Sequence, residues 1–211
     1  MRLFNEFSIN CPLFVQSKSN SALLLSLLNC LWSHNLCEGH MIVFGNHTET
    51  VEKLLEGDAC FDDYFLKFAN RVELLCLLNK VFIHYVNNWD DLERVIQSTR
   101  KRVIAVWDLV SFMQAHDKLN ALSLSSKVAY LLSNSEYLLL GDRIDMTLRV
   151  QLDKKIPISE LNSTTLYDIF RLWIPDWLDC KKQDDKHCSL TYRSFGSQVV
   201  ITKKEQDFVE F

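Results

Sequence analysis

Glycine and proline are scarce. Five glycines and three prolines in 211 residues are too few for a sandwich of many tight turns, so long helices are expected. The scarcity also bears on chemistry, because loops that cradle phosphate rely on glycine. No uninterrupted apolar run reaches the length of a membrane span. The first ten residues carry Arg2 and Glu6 without an apolar core, so no signal peptide is expected. The seven cysteines include no Cys-x-x-Cys pair and read as reduced thiols, mostly core filler. A cytosolic or nuclear location is therefore expected, and the Asn-x-Ser/Thr matches at Asn46 and Asn162 carry no meaning. Positive charge is not in excess. A formal net charge of −4 gives the whole chain no attraction for nucleic acid.

What is present is ordinary for a globular protein: 48% hydrophobic and 24% charged residues. No linker, repeat or low-complexity tract interrupts the chain, which reads as one domain over 1–211. Short apolar runs alternate with helical stretches. The runs are Cys11 to Gln16, His40 to Gly45, Lys80 to Val86, Arg102 to Asp108 and Tyr137 to Leu140. Between them fall a leucine-rich helix from Ala22 to Trp32, helical material from Thr48 to Asn79, a helix capped near Asn87 to Asp91, and another from about Asp117 to Asn134. Such alternation marks an α/β fold with a mostly parallel sheet covered on both faces. After Gly141 the pattern changes. A helix from Ser159 to Leu172 is expected, then antiparallel strands at Trp173 to Leu178, Ser189 to Arg193, Gln198 to Thr202 and Phe208 to Phe211, with Cys180 to Cys188 as an exposed loop. Leu24, Leu28, Val43, Ile83, Ile104 and Val106 are expected in the core. The helix from Ala22 to Trp32, apolar on nearly every face, is expected to leave apolar surface open.

The order of these pieces resembles the core of the RecA-like recombinases, specifically the recombinase paralogues. The first strand and its leucine-rich helix stand where that family has its Walker A loop. The run Ile83 to Leu92 leads into a short helix, and Val103 to Asp108 resembles a Walker B strand. Leu172-Trp173 resembles the entry to a late strand of the family. The resemblance covers Cys11 to the C-terminus and implies a RecA-like core with antiparallel C-terminal strands and no N-terminal helical domain. The departure is in the loop. Alignment on Leu23-Leu-Leu25 puts Ser19 at the last glycine, Asn20 at the lysine and Ser21 at the metal-binding hydroxyl, within Ser17-Lys18-Ser19-Asn20-Ser21. With no glycine and Lys18 out of register, the donors that stabilise a transferring phosphate are missing. No enzymatic activity and no cofactor are expected. The resemblance extends to a subunit of a Shu-type complex. It implies another recombinase paralogue or a SWIM-type zinc protein as partner, contact with the recombinase filament, and DNA held mainly by the complex. An ATP-less subunit of an Elongator-type accessory complex, acting in tRNA modification, has the same architecture and stays open, as does an enzyme using some other site.

Individual residues allow rival readings. Asp108 is a Walker B-like acid or a cap for the next turn; the cap is favoured. His34, Cys37 and His40 offer three zinc ligands in seven residues, but structural zinc takes four, and a helix-ending loop turning at Gly39 is favoured. Cys180, His187 and Cys188 are treated likewise. Ser111 lacks the glycines of a nucleophile elbow, and His84 lies mid-strand. Arg100, Lys101, Arg102, Lys181 and Lys182 are the candidate DNA contacts, although nearby Asp179, Asp184 and Asp185 offset the second group. The five tryptophans are expected mainly in the core.

Overall fold

The computed structural model describes residues 11–18, 21–45, 76–99, 103–116, 119–152, 162–184, 187–194 and 197–204. The apolar runs form strands β1 (Leu13–Ser17), β2 (Gly39–Phe44), β3 (Val81–Val86), β4 (Val103–Trp107) and β5 (Tyr137–Asp142). Helix α1 (Ser21–Ser33) follows β1, and α2 (Trp89–Ser98) follows β3. Helices α3 (Leu109–Ala115) and α4 (Ala121–Asn134) link β4 to β5. Beyond β5 come a small hairpin, β6 (Arg149–Gln151) and β7 (Ser163–Thr165), then α5 (Leu166–Trp173) and strands β8 (Asp176–Asp184), β9 (His187–Ser194) and β10 (Ser197–Lys204). The main sheet has eight strands in the order β10-β9-β8-β1-β5-β4-β2-β3. Six of them, from β3 to β8, run parallel. The last two are antiparallel. The chain is thus an α/β protein with a mostly parallel sheet flanked by helices.

The two faces of the sheet explain why the central runs are apolar throughout. Successive side chains of a strand point to opposite faces. Leu13, Val15, Met41, Val43, Val103, Ala105, Trp107 and Leu139 pack with α1 on one face. Phe14, Ile42, Phe44, Ile104, Val106, Leu138 and Leu140 pack with α2, α3, α4 and α5 on the other. Each fully buried leucine contributes about 1.5–3 kcal/mol relative to exposure. Local signals set the helix starts. Asn88 accepts the backbone N–H of Asp91 at 2.8 Å, and Asn120 accepts that of Ser123 at 2.8 Å. Thr165 and Asp168 form a reciprocal capping box at the head of α5.

Several expectations are corrected. Helix α1 leaves little apolar surface open: Leu23, Leu25, Leu27, Leu28 and Leu31 are fully buried, Leu24 is half-buried, and Trp32 is exposed. The chain folds Leu36, Leu77 and Leu78 against the same cluster. Ile83 is 41% exposed; among the described residues β3 is an edge strand with a neighbour on one side only. Leu28, Val43, Ile104 and Val106 are buried as expected. Within the stretch from Cys180 to Cys188 the described residues, 180–184 and 187–188, are strand and not loop; the backbone pairs Cys180 with Leu190, Lys181 with Ser189 and Lys182 with Cys188. A hairpin outside the parallel sheet tolerates the charge that made the stretch read as loop. Residues 163–165 are strand, α5 starts at Leu166, and Trp173 ends that helix. Gly39 is in β2, where a Cβ would meet Leu27 at 3.0 Å. The left-handed turn residue after α1 is Asn35, with φ 49°. The tryptophans divide: Trp107 and Trp177 are buried, Trp89 is half-buried, and Trp32 and Trp173 are exposed. Cys30 and Cys180 are buried, but Cys37 and Cys76 are exposed. The expectations for residues 48–75 and 208–211 lie outside the described residues.

Candidate functional site

In a parallel sheet the helix-connecting loops at the C-terminal strand ends form the natural crevice for ligands. Here β1, β5 and β4 are neighbours, so their ends meet. β1 ends at Ser17, which is buried, and α1 begins at Ser21. Three residues therefore connect them, Lys18 to Asn20. Lys18 is exposed; Ser19 and Asn20 lie outside the described residues.

The next strand end carries Asp142, only 1% exposed in side chain and backbone together. Its carboxylate accepts three hydrogen bonds. The backbone N–H of Val110 donates to Oδ2 at 2.8 Å, Ser111 Oγ donates to Oδ1 at 3.2 Å, and the backbone N–H of Ile144 donates to Oδ1 at 3.1 Å. Burial raises its pKa to about 6, and the nearby charge of Asp108 adds to the rise. The three donors pull in the opposite direction. Asp142 thus ties the start of α3 to the end of β5. The backbone before it must be glycine: a Cβ on Gly141 would lie 2.6 Å from the Trp107 ring.

Asp108, at the end of β4, corrects the favoured reading. It occupies the position before α3 in a left-handed conformation, φ 63°, and its side chain caps nothing. Asp tolerates that region better than most residues. Its carboxylate is instead gripped by Arg143. Nε donates to Oδ1 at 3.1 Å, and Nη2 donates to Oδ2. The fork geometry is the strong, bidentate kind. The hydrogen bond that Arg143 donates to Asp108, with the two acid charges nearby, holds the guanidinium above its usual pKa, against a smaller effect of burial.

The site thus holds two carboxylates in different states. One, Asp108, is buried and paired with an arginine. The other is buried and close to protonation at neutral pH. Sequence reasoning misses Asp142 and Arg143. The available signal is Gly141-Asp142-Arg143 directly after an apolar run, in the same position as Asp108 after Val103 to Trp107.

The remaining candidates fall as follows. Ser21 begins α1. Arg100, Lys101 and Arg102 lie outside the described residues, and Lys181 and Lys182 are in β8 by their backbone. His34 lies against Tyr137, ring centroids 4.5 Å apart. His40 Nδ1 is 3.0 Å from His84 Nε2, and His40 Nε2 is 3.5 Å from Glu38. Cys37 is exposed. Burial, and then the His40 charge, lower the pKa of His84. Among the described residues, no three His, Cys, Asp or Glu side chains are placed to share a metal ion. Among the same residues no helix is long and apolar enough to cross a membrane.

Comparison with known proteins agrees with the extent of this fold. Schizosaccharomyces pombe has a similar protein, uncharacterized protein C22G7.03, 27% identical over 181 residues that cover 83% of this chain and 77% of the relative. The SPAC22G7.03-like family matches residues 10–210, nearly the entire sequence, and the chain belongs to that family.

Proposed function

We propose that this chain is a non-catalytic RecA-like subunit of a heteromeric complex that promotes recombinase filament assembly in homologous recombination repair. Its partner in this reading is another recombinase paralogue or a SWIM-type zinc protein, and DNA is held mainly by the complex, in the nucleus. The sheet order and the helices on both faces are compatible with a RecA-like layout.

The observation that carries the non-catalytic half is the short connection from Ser17 to Ser21 beside an Asp108 already neutralised by Arg143. A phosphate cradle of the G-x-x-x-x-G-K-[ST] type needs six residues before its lysine, and only two, Lys18 and Ser19, lie between β1 and the lysine position at Asn20. An acid held by a guanidinium is poorly placed to serve a nucleotide-bound cation. Calorimetric titration with Mg-ATP is the test. Binding weaker than about millimolar is expected; by affinity arithmetic a micromolar Kd would add roughly 4 kcal/mol that this loop cannot supply, and would overturn the reading. Light scattering on the purified complex then reads the assembly. A heterodimer or heterotrimer supports the Shu-type partner, and a six-membered ring would favour the Elongator-type assembly instead.

A further inference from the structure

The end of the sheet away from the two acids brings two thiols together. Cys11 stands just before β1, and Cys30 lies in the last turn of α1. They are 19 residues apart in the chain, and their Sγ atoms are 3.8 Å apart. Cys30 is buried in the cluster formed by the leucines of α1, and Cys11 packs half-buried against that cluster. At their other ends β1 and α1 are already joined by Lys18 to Asn20. A bond between the sulfurs would therefore close strand and helix into one ring.

The sulfurs of a disulfide are about 2.05 Å apart, so the pair must close by roughly 1.8 Å. A separation of 3.8 Å is also an ordinary contact, and a second feature distinguishes the two cases. Thiol oxidation follows exposure and thiolate character, and a redox pair couples an accessible sulfur to a resolving one beside it. Cys11 and Cys30 divide in this way. Solvent reaches Cys11. The hydrogen bond with Cys11, and then burial, push the Cys30 thiol up from its ordinary pKa, so Cys30 does not compete for the oxidant. The contribution of the Cys11 thiol ends once that sulfur carries oxygen.

We propose that Cys11 and Cys30 form a reversible oxidation site for hydrogen peroxide, closing to a disulfide that fastens β1 to α1. The Cys11 thiolate attacks one peroxide oxygen, and the O–O bond breaks. Hydroxide leaves and takes up the proton that Cys11 lost, giving water and a sulfenic acid on Cys11. The Cys30 sulfur then attacks the Cys11 sulfur, and the S–O bond breaks. The departing hydroxide takes the Cys30 proton as a second water. Two thiols and one peroxide thus become one disulfide and two waters, and dithiothreitol reverses the change by exchange. The site is independent of the proposed function: a positive Mg-ATP titration would overturn that reading and leave the thiol pair standing.

The test treats the reduced full chain with a slight excess of hydrogen peroxide, blocks free thiols with N-ethylmaleimide and digests with trypsin. Cleavage after Lys18 separates the two cysteines, so mass spectrometry should find their peptides joined by a disulfide that dithiothreitol removes. The melting temperature should rise by roughly 5–10 °C on oxidation, from the loop that the bond closes. Cys11→Ser, at a half-buried position, should lose both the link and the rise. Cys37→Ser should keep both. In Cys30→Ala the reaction should stop at the sulfenic acid, which dimedone labels on Cys11. Peroxide that leaves both thiols free, or that carries Cys11 to sulfinic acid with Cys30 free, overturns the proposal. So does a link from either to another cysteine, or a rise in melting temperature that survives Cys11→Ser.

Discussion

Asp108 and Asp142 stand at equivalent places, each at the C-terminal end of a neighbouring parallel strand, yet they are stabilised in opposite ways. Asp108 is buried but is matched by the guanidinium of Arg143, which is itself half exposed. Asp142 is sealed off and accepts hydrogen bonds from three neutral donors, the nearby Arg143 being bound to Asp108 instead. A full charge next to a partner is stable when ionised. A buried charge held only by neutral donors is not, and its pKa moves toward neutral pH. The contrast separates two jobs at one sheet edge. Asp142 organises backbone, and Asp108 together with Arg143 closes off a charge.

The largest effect expected from breaking this contrast is at Asp142. Asp142→Ala strips three donors of their acceptor and opens a small cavity, costing about 2–4 kcal/mol in denaturant unfolding. Asp142→Asn keeps an acceptor for the Val110 N–H and removes the buried charge, so at pH 7 it should be within about 1 kcal/mol of wild type or more stable. Equal destabilisation by both variants would show that the charge itself is needed and that the dipole account is wrong.

The pH dependence sharpens the same point. The folded pKa of Asp142, about 6, lies above its ordinary value of 3.8, so the folded state binds the proton more readily. Its contribution is fully present below about pH 3.8 and is lost as pH rises through 6, on the order of 3 kcal/mol over that window. His84 acts in the opposite sense. Its folded pKa is lowered from 6.5, so the stability tied to neutral His84 is fully present above 6.5 and is lost as pH falls below that value toward the lowered folded pKa. Subtracting the stability of Asp142→Asn from that of wild type between pH 4 and 7 isolates the aspartate. A flat difference would contradict the assignment.

How far the sequence reveals this arrangement follows from the range of each interaction. The strands β1 to β5 and the helices α1, α2 and α4 are legible because both faces of the sheet are covered, which forces continuous apolar runs such as Val103 to Trp107. The caps at Asn88 and Asn120 are local and equally readable. In the β8–β9 hairpin the runs ending at Leu178 and from Ser189 to Arg193 are legible, whereas the charged continuation of β8 from Cys180 to Asp184 is hidden because it follows no apolar alternation that period alone detects. The Asp108–Arg143 pair spans 35 residues and exists only because β4 and β5 are neighbours. Nothing local to Arg143 announces it. The cover on α1 and the contact of Cys11 with Cys30 escape the sequence for a related reason. The apolar content of α1 is visible, but which residues cover it is a tertiary property, and scattered cysteines do not say which two meet.

The smallest effect lies in the coupling between the two acids, and it tests whether they form one site. The Asp108–Arg143 pair is partly exposed, so solvent screening limits it. A double-mutant cycle with Asp108→Asn and Arg143→Gln should give a coupling of about 1 kcal/mol that shrinks in high salt. The charge of Asp108 also raises the pKa of Asp142. Asp108→Asn should therefore lower the Asp142 titration midpoint, and Arg143→Gln, which exposes Asp142 to an uncompensated neighbour, should raise it. Carbon-13 detection of the Asp142 carboxyl group reads both shifts directly. Midpoints that move in the same direction in the two variants would mean that the acids respond to a general loosening of the strand ends. Opposite movements would tie them together as one electrostatic unit.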